Sequence, residues 1–260
     1  MCIRDRNGEG QIIGEIKEGK VKLYAKKVLE EIAILAHNNG EPGILFIDSI
    51  NRANPTPQLG CIETTNPCGE QPLLPYEACN LGAINLGKFV KDSKIDYSGL
   101  KKIVNSAVRF LDNVVDMSKF PLKEIEETVK KNRKIGLGVM GFADMLSELG
   151  VGYDSEEGRK IGEEVMEFIS KSSKECSVEL AKERGVFPAF EGSIHDTGKL
   201  EDRVRNAAIT TIAPTGTTGI IADASYGIEP YFAISYTHQD ADGHKRRFVA
   251  KTLELSLIHI

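Results

Sequence analysis

Ile135-Gly136-Leu137-Gly138-Val139, followed by the run from Phe142 to Leu149, is the stretch that decides the fold class. The first part is short and apolar and follows a charged segment, so it predicts a buried strand. The second part predicts a short helix that starts directly after the strand. A strand that leads at once into a helix is the unit from which α/β folds are built.

The same alternation continues on both sides of this unit. Apolar residues at helical spacing from Leu100 to Val115 predict an amphipathic helix. Asp154 and Glu157 resemble a capping box that opens a long helix to about Arg184. Further helices are predicted over Val21 to Asn38, after Pro121 and from about Gly216, and further strands over Gly43 to Asp48, Leu81 to Val90, Ala207 to Ala213, Tyr231 to Thr237 and Arg247 to Lys251. This order indicates an α/β class with a largely parallel sheet.

Gly136-Leu137-Gly138-Val139-Met140-Gly141 also matches the G-x-G-x-x-G pattern of dinucleotide-binding proteins. That fingerprint needs a strand before its first glycine and a helix after its last one. Here the glycines lie inside the predicted strand, and the charged segment Lys130-Lys131-Asn132-Arg133-Lys134 precedes them. The pattern therefore does not predict a nicotinamide site.

Composition restricts the possible functions. The 260 residues are 41% hydrophobic and 27% charged, as in an ordinary globular protein. A formal net charge of -5 argues against a nucleic-acid-binding surface, because phosphate backbones are bound through excess lysine and arginine. No apolar run reaches the roughly 18 residues of a membrane span. We therefore expect neither a nucleic acid nor a membrane as partner.

The cysteines point to thiol chemistry rather than to a metal site. Cys61, Cys68 and Cys79 form no C-x-x-C pair and have no paired histidines beside them, so no metal centre is predicted. A disulfide scaffold is not expected in a chain of this size, and free or redox-active thiols in a reducing cytoplasm fit better. Cys61 and Cys176 are expected to be small packing residues.

Asn66-Pro67-Cys68-Gly69-Glu70, followed by Cys79, is the candidate reactive loop. In an extended loop, alternate residues point the same way, so Asn66, Cys68 and Glu70 can converge on one small molecule. In this arrangement Cys68 reacts, Glu70 moves a proton and Asn66 holds hydroxyl groups, while Cys79 supplies reducing power. Loop capping is the alternative for Asn66 and Glu70, since asparagine commonly bonds to its own turn.

Ala213-Pro214-Thr215-Gly216-Thr217-Thr218 is a candidate phosphate site, because it follows a predicted strand and opens a predicted helix. Free amide groups and the positive end of the helix dipole attract phosphate at such a position, and the three threonines add hydroxyl donors. No Gly-Lys pair follows, so it is not a Walker loop. An ordinary strand-to-helix turn with a threonine cap explains the same residues.

The stretch from Glu63 to Gly82 closely resembles the finger loop of ribonucleotide reductases, and it is nearest to the adenosylcobalamin-dependent, or class II, enzymes. Four other blocks resemble the same family and occur in its order: Gly43 to Asp48, Asn51 to Thr56, Gly136 to Asp144 and Ala213 to Thr218. The resemblance implies part of a ten-stranded α/β barrel with the finger loop threaded through its centre.

The resemblance also implies a role for each candidate residue. Cys68 matches the thiyl-radical cysteine, which abstracts the 3′ hydrogen of a ribonucleotide, and Glu70 matches the general base for the 3′-hydroxyl proton. Asn66 orients the ribose hydroxyls. Cys79 matches one half of the redox pair, whose other half lies upstream in the family. The substrate's phosphates are expected at Pro214, Thr215, Gly216, Thr217 and Thr218.

The implied function is radical-based reduction of ribonucleotides, with diphosphates as the expected substrates, to deoxyribonucleotides. The implied cofactor is adenosylcobalamin, and the implied reductant is thioredoxin-like. A cytoplasmic homodimer is expected at full length, with nucleotide effectors bound outside this segment. Three alternatives stay open: the large subunit of an iron- or manganese-dependent class I reductase, a non-catalytic nucleotide-binding module, and a thiol oxidoreductase that works through Cys68 and Cys79.

The two ends of the chain share an unusual relation. Met1 to Arg6 and Leu255 to Ile260 can be encoded by one DNA sequence read from opposite strands. That DNA sequence resembles a transposon end used to prepare sequencing libraries. We therefore expect residues 1–6 and 255–260 to be artefacts and residues 7–254 to be a fragment of the catalytic barrel domain.

Overall fold

The computed structural model of this chain describes residues 14–17, 20–239 and 242–250. The chain divides into two compact units, Met1–Phe46 and Ile47–Ile260. The two predicted artefact segments lie outside the described residues, as does Lys251 at the end of the last predicted strand.

The first unit contains a short hairpin and one helix. Strand β1 (Gly14–Lys17) pairs antiparallel with β2 (Lys20–Leu23), and helix α1 (Ala25–Asn39) follows. The helix ends at Gly40, which adopts a left-handed conformation (φ 81°) and donates its N–H to the carbonyl of Ala36 at 2.8 Å. The predicted helix over Val21 to Asn38 is confirmed in place, but Val21 belongs to β2.

The second unit holds the remaining elements. Its helices are α2 (Ile47–Arg52), α3 (Tyr97–Met117), α4 (Lys123–Asn132), α5 (Phe142–Leu149), α6 (Glu156–Arg184) and α7 (Gly216–Ala222). Its strands are β3 (Thr64–Thr65), β4 (Pro72–Leu73), β5 (Asn80–Asn85), β6 (Val90–Lys91), β7 (Lys94–Ile95), β8 (Ile135–Met140), β9 (Ser235–Gln239) and β10 (Lys245–Val249).

The parallel pair of β5 and β8 forms the centre of the second unit, with Gly82 opposite Leu137 and Ile84 opposite Val139. Helix α3 covers one face of this pair, α6 packs against α3, and apolar residues of both helices share a core with the two strands. The buried residues of α3 recur every three or four positions, as a helix with one apolar face requires. They are Leu100, Val104, Val108, Leu111 and Val115.

The beginnings of α3 and α6 have side-chain caps. Asp96 accepts the N–H of Gly99 at 2.8 Å, and Ser155 accepts the N–H of Gly158 at 2.9 Å. The long helix predicted up to Arg184 is therefore confirmed, but its N-cap is Ser155 rather than the predicted Asp154.

Two predicted strands in the first half of the chain differ from the structure. The strand over Gly43 to Asp48 is wrong, because α2 already begins at Ile47 and the side chain of Phe46 is exposed. Apolar character alone did not distinguish an exposed irregular segment from a buried strand. The strand over Leu81 to Val90 is correct only as far as Asn85, after which the chain forms a 3-10 turn.

The predicted strand over Ala207 to Ala213 is an extended segment with one parallel bridge, between Leu137 and Thr210. It still runs along β8, since Leu137 donates its N–H to the carbonyl of Ile209 at 2.8 Å and accepts that of Thr211 at 3.1 Å. Among the described residues the strands form five two-stranded pairs, of which one is parallel, and they close no barrel. The expected largely parallel sheet is thus present as one pair with one flanking segment.

Candidate active site

The reactive loop is the tight turn of a hairpin. Thr64 pairs with Leu73 and Thr65 pairs with Pro72, so β3 and β4 flank the turn. Gly69 donates its N–H to the carbonyl of Asn66 at 3.0 Å, and the side-chain oxygen of Asn66 accepts the N–H of Gln71 at 2.9 Å. The expectation of an extended loop with alternate side chains on one side is therefore wrong. Asn66 shows the turn-capping role that its residue type allows.

Cys68 lies at the exposed tip of this hairpin. The next residue, Gly69, has a left-handed backbone (φ 84°), and no atom lies within 4 Å of the position that its Cβ would occupy. The thiol therefore stands at an open part of the surface, where a second molecule can approach it closely.

A hydrogen bond from Thr211 holds the main chain at Glu70. The hydroxyl of Thr211 donates to the main-chain carbonyl of Glu70 at 3.0 Å. The Oε2 atom of Glu70 is buried and has no hydrogen-bond partner within the part of the chain that the structure describes. A buried carboxylate oxygen without a partner is costly, so this atom is suited to accept a hydrogen bond from a bound molecule.

Cys79 is the partly buried thiol of the site and directly precedes β5. Its Sγ atom donates to the carbonyl of Asn80 at 3.4 Å. Burial, and to a smaller extent the carboxylates of Glu77 and Glu70, raise the pKa of Cys79 to about 12 against the opposing effect of Lys134. Cys79 is consequently a thiol at neutral pH, and Glu70 is one of the charged groups that act on it.

The hairpin packs against a part of β8 where glycines leave the backbone without side chains. Gly136 and Gly138 alternate along the strand and so lie on the same face. A Cβ at Gly136 would lie 2.4 Å from Leu81 and 2.7 Å from Nε2 of Gln71, and a Cβ at Gly138 would lie 2.9 Å from the carbonyl of Thr211. The glycines of the G-x-G-x-x-G stretch therefore permit close packing of Leu81, Gln71 and Thr211 against β8. Sequence reasoning did not identify Gln71 or Thr211 as part of the site.

The predicted phosphate turn lies at the beginning of α7, which has seven residues. Thr215 adopts a left-handed conformation (φ 52°) directly before the helix. Its hydroxyl accepts the N–H of Gly227 at 2.7 Å, and its carbonyl accepts the N–H of Gly219 at 2.7 Å. Thr215 thus shapes the turn itself. The residues that the turn exposes are Pro214, Gly216, Thr217 and Thr218.

Aromatic residues pack against α7, the helix that follows the phosphate turn. A Cβ at Gly219 would lie 2.6 Å from the ring of Tyr226, so the helix and the ring are in close contact. The hydroxyl groups of Tyr226 and Tyr236 are 2.7 Å apart. Burial, followed by this hydrogen bond, raises the pKa of Tyr226 to about 12, so Tyr226 is uncharged at neutral pH.

Asp144 connects α5 to the segment that follows α7. Its carboxylate accepts the N–H of Ser225 at 2.7 Å and the hydroxyl of Tyr231 at 2.6 Å. Because Gly227 in the same segment bonds to Thr215, Asp144 indirectly steadies the phosphate turn. The sequence block Gly136 to Asp144 therefore serves both the hairpin and the turn.

One stretch of chain joins the two candidate subsites. Thr211 contacts Glu70 of the hairpin, and Thr215 shapes the phosphate turn four residues later. The structure thus connects the predicted thiol loop and the predicted phosphate turn through the extended segment beside β8.

Among the described helices, none is both long and apolar enough to cross a membrane.

Comparison with known proteins gives one family and a set of named relatives. Residues 12–259 match the model of the family described as "Ribonucleotide reductase, barrel domain". This match includes most of the carboxy-terminal segment 255–260, so the expectation that this segment is an artefact stays a prediction.

Two similar proteins are named vitamin B12-dependent ribonucleoside-diphosphate reductases. The protein from Thermoplasma acidophilum is 49% identical over 242 residues, which are 91% of this chain and 31% of the relative. The protein from Mycobacterium tuberculosis is 45% identical over 92% of this chain and 34% of the relative. A ribonucleoside-diphosphate reductase subunit alpha from Chlamydia pneumoniae is 30% identical over 88% of this chain and 26% of the relative. The chain spans about a third of the length of the first two relatives.

Proposed function

The chain belongs to the ribonucleotide reductase family, whose barrel domain it matches, and on this premise we propose that it is the central catalytic segment of an adenosylcobalamin-dependent reductase. The complete protein reduces ribonucleotides, with diphosphates as the expected substrates, to deoxyribonucleotides. The observation that carries the proposal is the hairpin that presents Cys68 at an open tip, with Glu70 and Cys79 behind it. The higher identity to B12-dependent relatives than to a subunit alpha supports the class II form.

The complete domain is proposed to close ten strands around this hairpin. The parallel pair of β5 and β8 carries helices on one face and the hairpin on the other, as consecutive strands of such a barrel do. The extended segment at Thr210 continues the pair on the far side of β8. The remaining strands are proposed to come from other parts of the complete protein.

Cys68 is proposed to carry the reacting radical. A sulfur atom can hold an unpaired electron, and its S–H bond is comparable in strength to the activated C–H bond of the substrate. As a thiyl radical, Cys68 takes the hydrogen atom from the 3′ carbon of the ribose and returns a hydrogen atom there at the end of the cycle. Its exposed position at the hairpin tip supports this role.

Glu70 and Asn66 are proposed to act on the ribose hydroxyls. Oε2 of Glu70, which is buried and unpaired in the described structure, accepts the 3′-hydroxyl proton and so helps the 2′-hydroxyl to leave as water. The side-chain oxygen of Asn66 already caps the turn, which leaves its NH₂ group to donate to the substrate.

Cys79 is proposed to supply reducing power together with a second cysteine outside this segment. Replacement of the 2′-hydroxyl by hydrogen, with release of water, requires two electrons and two protons, which the two thiols supply as they join in a disulfide. A thioredoxin-like dithiol then reduces the disulfide by thiol exchange. The protonated state of Cys79 suits this step, because a thiol carries the hydrogen that the product takes up.

The substrate's phosphates are proposed to bind at Pro214 to Thr218. The exposed amide groups at the beginning of α7 and the hydroxyls of Thr217 and Thr218 provide donors. The tie from Thr215 to Gly227 keeps the turn in shape before substrate arrives.

The residues at the hairpin tip fit a bulky cofactor beside Cys68, since open space surrounds Gly69 and the thiol is exposed. When bound, adenosylcobalamin supplies radical chemistry through homolysis of its cobalt–carbon bond. Cys68 would lie beside the bound group. The full-length protein is further proposed to be a cytoplasmic homodimer that binds nucleotide effectors outside this segment.

The test uses the full-length protein that carries this segment. Deoxynucleotide formation from ribonucleoside diphosphates is measured with a dithiol and adenosylcobalamin, without a second subunit. We expect turnover that disappears when adenosylcobalamin is left out. Turnover that requires an iron- or manganese-containing partner instead would assign the protein to class I, and no turnover in either case would leave nucleotide binding or thiol exchange.

The proposed artefacts have a separate test. The natural gene is amplified from genomic DNA and sequenced without a transposon-based library. Codons for residues 1–6 and 255–260 should be replaced by other sequence that continues the reading frame. Recovery of the same terminal codons would contradict this proposal.

A further inference from the structure

A fully buried ion pair lies two residues from Cys79. The Nζ atom of Lys134 is 2.7 Å from Oε2 of Glu77, and the two side chains are only 2% and 0% exposed. Leu74 donates its N–H to the same carboxylate at 2.9 Å, and Nδ2 of Asn132 donates at 2.6 Å. Two buried charges are costly even when paired, and apolar residues of the same size are often at least as stable.

The pair joins two parts of the chain that are distant in sequence. Glu77 lies on the loop between β4 and β5, whereas Lys134 directly precedes β8. The two strands begin side by side, with Asn80 opposite Ile135. The ion pair therefore fastens the loop that carries Cys79 to the start of the neighbouring strand.

Three charged groups act on the Cys79 sulfur. Glu77 lies on its own loop, Glu70 on the hairpin and Lys134 before β8. After burial, Glu77 has the largest effect of the three and disfavours the thiolate, while Lys134 favours it. The carboxylate of Glu77 is in turn held in place by three hydrogen bonds, from Leu74, Asn132 and Lys134.

We propose that Glu77 is a positioning residue for Cys79: its ion pair with Lys134 fixes the place of the loop that carries this sulfur, and its carboxylate keeps the hydrogen on the sulfur between turnovers. The proposal rests on the role of Cys79 in the proposed function and adds the group that controls it. A resting thiolate at this position would be open to alkylation and to exchange with other disulfides. Glu77 thus reserves Cys79 for the reductive step.

The test compares the reactivity of two cysteines in the full-length protein. Iodoacetamide modification of Cys79 is measured by peptide mass spectrometry relative to Cys61, which is exposed and has no proposed role. Glu77→Gln should increase the ratio, because loss of the carboxylate lowers the pKa of Cys79. Each fall of one in that pKa gives about a threefold faster reaction, since a tenfold gain in thiolate is partly offset by lower nucleophilicity.

Lys134→Gln should decrease the same ratio, because it removes the cation while its amide can still donate to Glu77. Leu74→Ala is the matched control, since it loosens the same buried loop without changing a charge. Loosening alone makes Cys79 more reactive in all three variants. Opposite changes for Glu77→Gln and Lys134→Gln support the proposal, and changes in the same direction, or no change for Glu77→Gln, overturn it.

A double variant keeps the test decisive if one single variant fails to fold. Glu77→Gln combined with Lys134→Gln leaves no lone buried charge. Cys79 in this double variant should be alkylated faster than in Lys134→Gln alone and more slowly than in Glu77→Gln alone. The reverse order overturns the proposal. Alkylation needs no turnover, so a failure of this inference is distinguishable from a failure of the reductase function, which is measured as deoxynucleotide formation.

Discussion

The two faces of the β5–β8 pair are built in opposite ways. On the face toward α3 and α6, Ile84, Leu137 and Val139 are all at most 5% exposed and join the apolar core. On the other face, Gly136 and Gly138 carry no side chain, and the hairpin and the Thr211 segment approach the bare backbone. One strand therefore serves packing on one side and close approach to the reactive loop on the other.

This difference explains why β8 imitates a dinucleotide fingerprint. Apolar residues occupy every second position because they face the helices, and glycines occupy the positions between because they face the hairpin. The period of two belongs to a strand, whereas a nucleotide-binding glycine loop begins after its strand. The comparison predicts that substitutions on the helix face reduce stability and that substitutions on the glycine face reduce activity.

The largest effect is expected from Leu137→Ala on the helix face. Leu137 is 1% exposed, and its truncation should cost about 2–5 kcal/mol of unfolding free energy, as other large-to-small core changes do. Denaturant unfolding of the full-length protein measures this. Leu81→Ala is the control, because Leu81 is 43% exposed on the opposite face. Equal losses in the two variants would contradict the assignment of the faces.

Gly136→Ala should mainly reduce activity. The added methyl group would lie 2.4 Å from Leu81 and 2.7 Å from Gln71, so the hairpin must shift. A displacement of about 1 Å at a reacting group can cost roughly a hundredfold in rate, and we expect kcat to fall by that order. Gly82→Ala is the matched control on the other strand and face, where the methyl group would meet Leu111 at an ordinary 3.5 Å. Similar kcat values for both variants would break the comparison.

A smaller effect is expected from Thr211→Val, which removes the hydroxyl that donates to the carbonyl of Glu70. Loss of one such hydrogen bond costs about 0.5–1.5 kcal/mol. Hydrogen exchange of the hairpin amides should become faster in this variant. Thr211→Ser keeps the donor and should protect the hairpin as the natural residue does. If valine and serine have the same effect, the hydroxyl does not hold the hairpin.

Local patterns predicted part of this fold well. The helix from Phe142 to Leu149 and the strand that precedes it follow from apolar periodicity, which depends only on neighbouring residues. The strand predicted over Gly43 to Asp48 failed for the same reason, because periodicity does not show whether a partner covers an apolar run. The predicted extended shape of the reactive loop was wrong because Asn66 closes a turn with its own side chain.

The sequence predicted the candidate reactive residues of the site but not the residues that hold them in place. Cys68, Glu70 and Cys79 stand in a motif that resembles a known family, so they were found from the sequence. Thr211 and Lys134 were not found, because they contact the loop across 141 and 57 residues of sequence, respectively. Contacts over such separations depend on how the strands are placed in space, and no short pattern encodes them.

The central claim is that Cys68 is the reaction centre of a ribonucleotide reductase. The most direct measurement compares Cys68→Ser with Cys61→Ser in the full-length protein, because both cysteines are exposed and precede β5. Deoxynucleotide formation and nucleotide binding are measured on the same samples. The account predicts that Cys68→Ser binds nucleotide but forms no deoxynucleotide, while Cys61→Ser does both. Wild-type turnover by Cys68→Ser would contradict it.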